Sequence, residues 1–101
     1  MTDKQRICTQ DYAELINSFL SGDMEPKQFE GNYLRKFKSE TVSLPNDIFN
    51  ILDQLFADVD SYCADPENRE PADISEEELV ASARTASAKL HELLETTRNR
   101  S

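Results

Sequence analysis

Residues 45–60, PNDIFNILDQLFADVD, form the most apolar stretch of the chain and decide its fold class. The large apolar side chains recur every three or four positions, as they do on one face of an α-helix: Ile48, Ile51, Leu52, Leu55, Phe56 and Val59. Proline is favoured where a helix starts, as at Pro45, and it disfavours helix in the residue before it, as at Asp65 before Pro66. The stretch predicts an amphipathic helix at the centre of the core.

Three other stretches show the same helical periodicity. The first is expected over about residues 9–21 and ends at Gly22, a residue typical of helix C-termini. The second starts at Pro26 after Glu25 as N-cap, and the fourth starts after Ser75 as N-cap, with Glu78 completing a capping box. Their predicted inward residues are Tyr12, Leu15, Ile16, Phe19, Leu20, Phe29, Tyr33, Leu34, Phe37, Leu79, Ala83, Ala86, Leu90, Leu93 and Leu94.

The length and composition favour one helical domain. The chain has 101 residues, which is enough for a single core, and only two Gly, too few for the many turns of an all-β fold. Four amphipathic helices joined by short loops predict an all-α protein, an antiparallel four-helix bundle spanning residues 1–101. We expect short disordered ends at about 1–7 and 97–101.

The negative charge is concentrated in one third of the chain. The net charge is −9, and residues 43–78 alone contain 11 acids and one base, a net charge of −10. Residues 1–42 carry −1 and residues 79–101 carry +2, so the rest of the chain is nearly balanced. This distribution argues against binding to nucleic acid or to anionic lipid and favours a basic protein partner.

The acids cluster around the end of the third helix and the loop after it. Seven residues there are candidates for a partner-binding surface, with Tyr62 expected to be exposed among them: Asp58, Asp60, Tyr62, Asp65, Glu67, Glu70 and Asp73. A surface of one charge sign around an aromatic residue is typical of an interface. The alternative is a solvated face that only aids solubility.

Other chemistries have weaker sequence support. Asp58 and Asp60 resemble the start of an EF-hand loop, but Cys63 occupies the glycine position and Arg69 the final glutamate position, so no metal is expected. The only histidine, His91, lies within a predicted helix, so we expect neither an enzyme nor a cofactor.

The remaining features are also expected to be structural. Tyr33 and Phe37 lie among basic residues, as in some RNA-binding surfaces, but on the apolar stripe, which favours a role in the core. Cys8 and Cys63 are interpreted as unreactive thiols. Because no apolar run follows Met1 and no stretch is long enough to span a membrane, we expect a cytoplasmic protein.

The chain resembles the colicin D immunity protein family, which includes immunity proteins of contact-dependent growth inhibition systems. The similarity covers roughly residues 12–94, and its most specific part runs from Leu55-Phe56 to Arg69. The matching patterns are Tyr12-x3-Ile16-x2-Phe19-Leu20-x-Gly22, Phe29-Glu30-x2-Tyr33-Leu34-x2-Phe37, Leu52-Asp53-x-Leu55-Phe56-x3-Asp60-x-Tyr62, Asp65-Pro66-x2-Arg69 and Ile74-Ser75-x-Glu77-x-Leu79.

This resemblance implies a four-helix bundle that binds a cognate toxin nuclease domain, typically one that cleaves tRNA, and covers its active site. Its acids would take the place of the substrate phosphates, and Asp60 and Asp65, with Tyr62 between them, match best. Two alternatives stay open from the residues alone: a non-catalytic helical adaptor for another basic protein, and a nucleic-acid mimic directed at a DNA-binding protein.

Overall fold

Four α-helices account for most of the fold. The computed structural model describes residues 2–62 and 74–99, the last four of these by their backbone alone. The helices are α1 (Asp3–Leu20), α2 (Pro26–Lys38), α3 (Asn46–Asp60) and α4 (Glu76–Asn99). Each helix packs on its neighbour in sequence, and α4 also packs on α1, which closes the ring. The predicted all-α helical bundle is confirmed.

The buried faces follow the predicted stripes. The fully buried side chains include Tyr12, Ile16, Phe29, Tyr33, Ile48, Leu52, Leu55, Val59, Leu79 and Leu90. Several other stripe residues are only partly buried at the edges of this core: Leu15, Leu20, Leu34, Phe37, Ile51, Phe56, Leu93 and Leu94. The hydroxyl of Tyr33 donates a 2.7 Å hydrogen bond to the Leu52 carbonyl oxygen, so this tyrosine is a core residue, as predicted.

The first helix begins earlier than predicted. It starts at Asp3 instead of about residue 9, so residues 3–7, which we expected to form a disordered end, are helical. Thr2 Oγ1 accepts from the Gln5 backbone N–H, and the Gln5 side chain accepts from the Thr2 N–H, which is a complete capping box. The first turn is polar, so hydrophobic periodicity did not reveal it.

The end of α1 is as the sequence indicates. Gly22 has a φ of +88°, a backbone conformation that glycine adopts without strain. Its N–H donates to the Phe19 carbonyl, and the Asp23 N–H donates to the Ser18 carbonyl, which is the Schellman arrangement that closes a helix.

The predicted starts of the other helices are also confirmed. The Glu25 N–H before α2 donates to Gln28 Oε1, and α3 begins directly after Pro45. Ser75 Oγ accepts from the Glu78 N–H at the start of α4. The backbone of α4 is helical to Asn99, into the end that was expected to be disordered from about residue 97.

Candidate functional site

The end of the bundle where α3 finishes and α4 starts contains the described part of the predicted acidic surface. The Ile74 N–H donates a 2.9 Å hydrogen bond to the Ser61 carbonyl oxygen, and Tyr62 pairs with Ile74 in an isolated β-bridge. This pairing places the end of α3 beside the start of α4. The exposed acids Glu76, Glu77 and Glu78 of α4 are therefore at the same end of the bundle as Asp60 of α3, which we call the acidic end.

Four of the seven predicted site residues lie outside the described residues: Asp65, Glu67, Glu70 and Asp73. The described residues on either side of the 63–73 segment that contains them, Tyr62 and Ile74, pair with each other at the acidic end.

Tyr62 differs from the prediction. It was expected to be exposed, but it is partly buried and packs against the hydrophobic core. Its backbone is held by the bridge to Ile74. Tyr62 therefore contributes to packing at the acidic end, and only part of its ring is available to a partner.

Asp60 is exposed on the side of α3 that faces α2. In the part of the chain that the structure describes, Asp60 forms no hydrogen bond and no ion pair. It lies near Glu30 of α2: burial raises the pKa of Glu30, Lys27 opposes this, and the negative charge of Asp60 raises the pKa further. Two carboxylates thus repel each other here, and a positive group from a partner would relieve that repulsion.

Asp58 lies on the opposite side of α3. Residues two positions apart in a helix are rotated by about 200° relative to each other, so Asp58 and Asp60 do not share a face. Asp58 is partly buried in a groove of about 390 Å³ between α3 and α4. The polar part of this groove is formed by Asn50, Gln54, Asp58, Ser82, Thr85 and Lys89.

The two flanks of α3 therefore present different surfaces. On the α4 side, Asp58 shares its groove with the positively charged Lys89. On the α2 side, Asp60 follows Asp53, which is also exposed and has no hydrogen bond or ion pair within the described residues. On its α2 side, α3 therefore presents two exposed carboxylates beside a helix that carries Lys27, Arg35, Lys36 and Lys38.

A second cluster of titratable side chains lies at the other end of the bundle and was not predicted. Cys8 is 6% exposed, and its Sγ donates to Glu40 Oε1 over 3.1 Å. Glu40 Oε2 accepts from the backbone N–H groups of Thr41 and Val42, also at 3.1 Å. The Nζ of Lys36 lies 4.6 Å from the ring centre of Tyr12.

This second cluster holds α1 against the α2–α3 connection. Burial and the neighbouring Glu40 raise the pKa of Cys8 to about 12, so this thiol stays protonated and is a poor nucleophile, as predicted. Cys63, for which the same was predicted, lies outside the described residues. Burial and Glu40 also raise the pKa of Tyr12. Burial opposes ionisation of Glu40, but the hydrogen bonds from Cys8 and Val42 and the charge of Lys36 lower its pKa overall. Glu40 is a structural carboxylate.

Other chemistry has little support in the described residues. They contain no group of three or more His, Cys, Asp or Glu side chains placed to hold a metal ion. His91 is exposed on α4 and lines one depression with Arg6 and Glu95 and a second one that includes Ser87. The Ser87 hydroxyl donates a 2.8 Å hydrogen bond to Asn17 Oδ1 and not to His91. Among the residues described, no helix is both long and apolar enough to cross a membrane.

Comparison with known proteins gives one match. Residues 8–90 match a family model described as bacterial self-protective colicin-like immunity. No curated protein and no solved structure matches the chain. The matched range includes all of α2 and α3, the 63–73 segment and most of α1 and α4.

Proposed function

Since the chain belongs to the bacterial self-protective colicin-like immunity family, we propose that it neutralises a nuclease toxin by covering the toxin's basic active site with its acidic end. The family makes the protein a self-protective immunity protein whose partner is a cognate toxin protein. We propose further that the toxin is an RNase that cleaves tRNA, on the basis of the resemblance to the colicin D immunity proteins. The binding residues would be Asp60, Asp65 and Tyr62, with Asp58, Glu67, Glu70 and Asp73 around them.

The observation that carries this proposal is the exposed, unpaired state of Asp53 and Asp60 on α3. Asp53 and Asp60 form no ion pair within the described residues, although α2 beside them contains Lys27, Arg35, Lys36 and Lys38. An acid that stabilised the fold would be expected to use such a base. Carboxylates left without a counter-charge favour association with a positively charged partner.

The chemistry of an RNase supplies the complementary surface. A nuclease grips phosphates with Lys and Arg side chains, and the same groups attract carboxylates at a similar spacing. Because residues 43–78 carry a net charge of −10, association should be steered and fast, about 10⁸–10⁹ M⁻¹s⁻¹ at low salt. The exposed part of Tyr62, which otherwise packs against the core, would provide apolar contact beside these charges.

Family membership favours this function over a general adaptor, because a self-protective protein acts on a toxin made by its own cell. We therefore expect the gene of this chain to lie directly downstream of a toxin gene, whose product is the expected partner. We expect the purified product of that gene to bind the chain, and we expect the chain to stop its cleavage of tRNA at stoichiometric concentration.

The mechanism is tested by reversing charge at the acidic end. The double variant Asp60→Lys/Asp65→Lys should keep the helical circular dichroism of the wild type, because Asp60 is exposed, but should lose toxin binding and cell protection. A matched control is Asp11→Lys/Glu14→Lys, which makes the same charge change on the exposed face of α1 and should protect cells.

The outcomes separate two claims. If the wild type does not bind the neighbouring toxin, the proposal of direct neutralisation is wrong. If the wild type binds and the Asp60→Lys/Asp65→Lys variant still protects cells fully, the toxin is bound by another surface and the acidic mechanism is wrong.

A further inference from the structure

One face of α3 combines aromatic and acidic side chains, all of them exposed except Phe56, which is partly buried. Phe49, Asp53, Phe56 and Asp60 follow one another at spacings of four, three and four residues, so they line the same side of the helix. They extend over about 16 Å of the helix. We call these four residues the α3 aromatic–acidic face. It is the side that packs towards α2 and is distinct from the α4-side groove that contains Asp58.

Phe49 is the unusual member of this face. It is 45% exposed, one of two large apolar side chains exposed to this extent among the described residues. Its ring stacks on Phe37, with the ring centres 5.9 Å apart, and Phe37 in turn stacks on Phe56 at 4.8 Å. The three rings form a short stack whose outer end, Phe49, is open to solvent. The stack holds Phe49 in a fixed position, which lowers the entropy cost of contact with a partner.

The acids on this face are available for binding. Asp53 and Asp60 are exposed, and neither has a hydrogen bond or ion pair within the described residues. Asp53 lies between Phe49 and Phe56 along the helix. A side chain that meets this position from outside would touch an aromatic ring and a free carboxylate together.

Arginine is the side chain that fits both features. Its planar guanidinium stacks on aromatic rings and donates two parallel hydrogen bonds to a carboxylate, whereas the lysine ammonium is a compact and strongly hydrated charge. We propose that the α3 aromatic–acidic face binds an arginine-bearing surface of the cognate toxin, with the arginine placed between Phe49 and Asp53. This proposal rests on the proposed function and adds a contact surface that does not depend on the 63–73 segment.

The two kinds of contact have different roles. The acids at the acidic end of the bundle attract any basic nuclease, because long-range attraction depends on charge alone. The pairing of a fixed ring with a carboxylate requires an arginine at a defined place on the partner. The α3 aromatic–acidic face would therefore help the protein to distinguish its own toxin from other basic nucleases.

The first experiment changes the aromatic component and uses the purified product of the neighbouring toxin gene as the probe. Phe49→Ser should weaken binding at least about tenfold, and by a similar factor at about 0.15 M and about 0.5 M salt, since stacking is screened little. The matched control is Ile7→Ser, because Ile7 is the other exposed large apolar residue, 59% exposed, and lies on α1. Its affinity should stay within about twofold of wild type.

The second experiment changes the acid. Asp53→Asn should also weaken binding at least about tenfold at low salt, and the loss should shrink as salt increases. Asp11→Asn, an equal change at an exposed acid of α1, serves as control. Asp53→Arg reverses the charge at this position. It should keep the fold, because Asp53 is exposed, and it should weaken binding at least about a hundredfold. Circular dichroism melting checks that each variant is folded.

The results distinguish this inference from the proposed function. If the wild type does not bind the toxin, the proposed function fails and this inference fails with it. If the wild type binds but Phe49→Ser and Asp53→Arg bind as well as their controls, the α3 aromatic–acidic face is not part of the interface. The proposal that the acidic end neutralises the toxin would then still stand. A Phe49→Ser variant that does not fold leaves Asp53→Arg as the deciding measurement.

Discussion

Glu40 and Asp60 lie at opposite ends of the bundle, and their surroundings differ in almost every respect. Glu40 accepts hydrogen bonds from Cys8 Sγ and from the N–H groups of Thr41 and Val42. Asp60 is exposed, has no such partner within the described residues and lies near another acid, Glu30. One carboxylate joins parts of the fold, whereas the other adds repulsion that the fold does not need.

An acid in a strongly acidic chain can be assigned a role from its hydrogen-bond partners. A count of the 20 Asp and Glu residues in the sequence does not distinguish their roles. The hydrogen-bond partners separate them: an acid with donors around it stabilises the folded state, and an acid without donors is available to a partner molecule. Substitutions at the two ends should therefore affect different measurements.

The largest effect on stability is expected at Glu40. Glu40→Ala removes the acceptor of one buried thiol and two backbone N–H groups, so the free energy of unfolding should fall by about 2 kcal/mol. Urea denaturation measures this loss, and the folded fraction should bind toxin as the wild type does. Glu14→Ala, at an exposed position on α1, should change stability by less than about 0.5 kcal/mol. If Glu40→Ala leaves stability unchanged, the structural role of Glu40 is wrong.

A smaller effect is expected from pH at the same residue. The pKa of Glu40 is lower in the folded protein than its ordinary value of 4.5. The ionised carboxylate therefore contributes stability above that value, and the contribution is lost as pH falls through the lowered folded pKa. We expect wild type to be more stable than Glu40→Gln at pH 7 by about 1 kcal/mol, a difference that fades in acid. A constant difference across the titration would contradict the prediction.

The two glycines should respond in opposite ways to replacement by alanine. Gly31 lies within α2, and a Cβ added there would contact no atom within 4 Å, so Gly31→Ala should stabilise the protein by about 0.5–1 kcal/mol. Gly22 has a φ of +88°, so Gly22→Ala should destabilise it by about 1 kcal/mol. Thermal melting measures both changes in stability. Shifts of the melting temperature in the same direction would contradict the backbone conformations described for the two glycines.

The sequence predicts most of the fold because the apolar spacing and the helix caps agree with each other. Pro26, Pro45 and Ser75 each lie within one residue of an observed helix start. The early start of α1 had a signal of its own, since Thr2 and Gln5 have the spacing of a capping box, but hydrophobic periodicity does not detect a polar first turn.

The candidate site was less predictable. The separation of Asp58 from Asp60 follows from helix geometry, because residues two positions apart cannot share a face. The partial burial of Tyr62 does not follow from local sequence, since it depends on where the chain returns at Ile74. Glu40 had no signal at all: its partners Cys8 and Val42 are assembled only when α1 packs beside the α2–α3 connection.

The smallest effect returns to the acidic end, where Glu30 should behave in the opposite way to Glu40. Burial and the charge of Asp60 raise the pKa of Glu30 above its ordinary value, with Lys27 opposing them. A raised carboxyl pKa means that the folded state binds the proton more tightly, so this group lowers stability as pH rises through the raised value. Glu30→Gln should therefore stabilise the protein at pH 7, by roughly 0.5 kcal/mol, and the gain should vanish in acid.

A double-mutant cycle then links this effect to Asp60. In the Asp60→Asn background, part of the repulsion on Glu30 is already absent, so Glu30→Gln should stabilise the protein less than it does in the wild type. Urea denaturation at pH 7 measures all four proteins. A gain of equal size in both backgrounds would mean that the two carboxylates do not interact. A smaller gain in the Asp60→Asn background would mean that the repulsion between Glu30 and Asp60 lowers the stability of the folded protein. A basic partner bound at this end would relieve that repulsion.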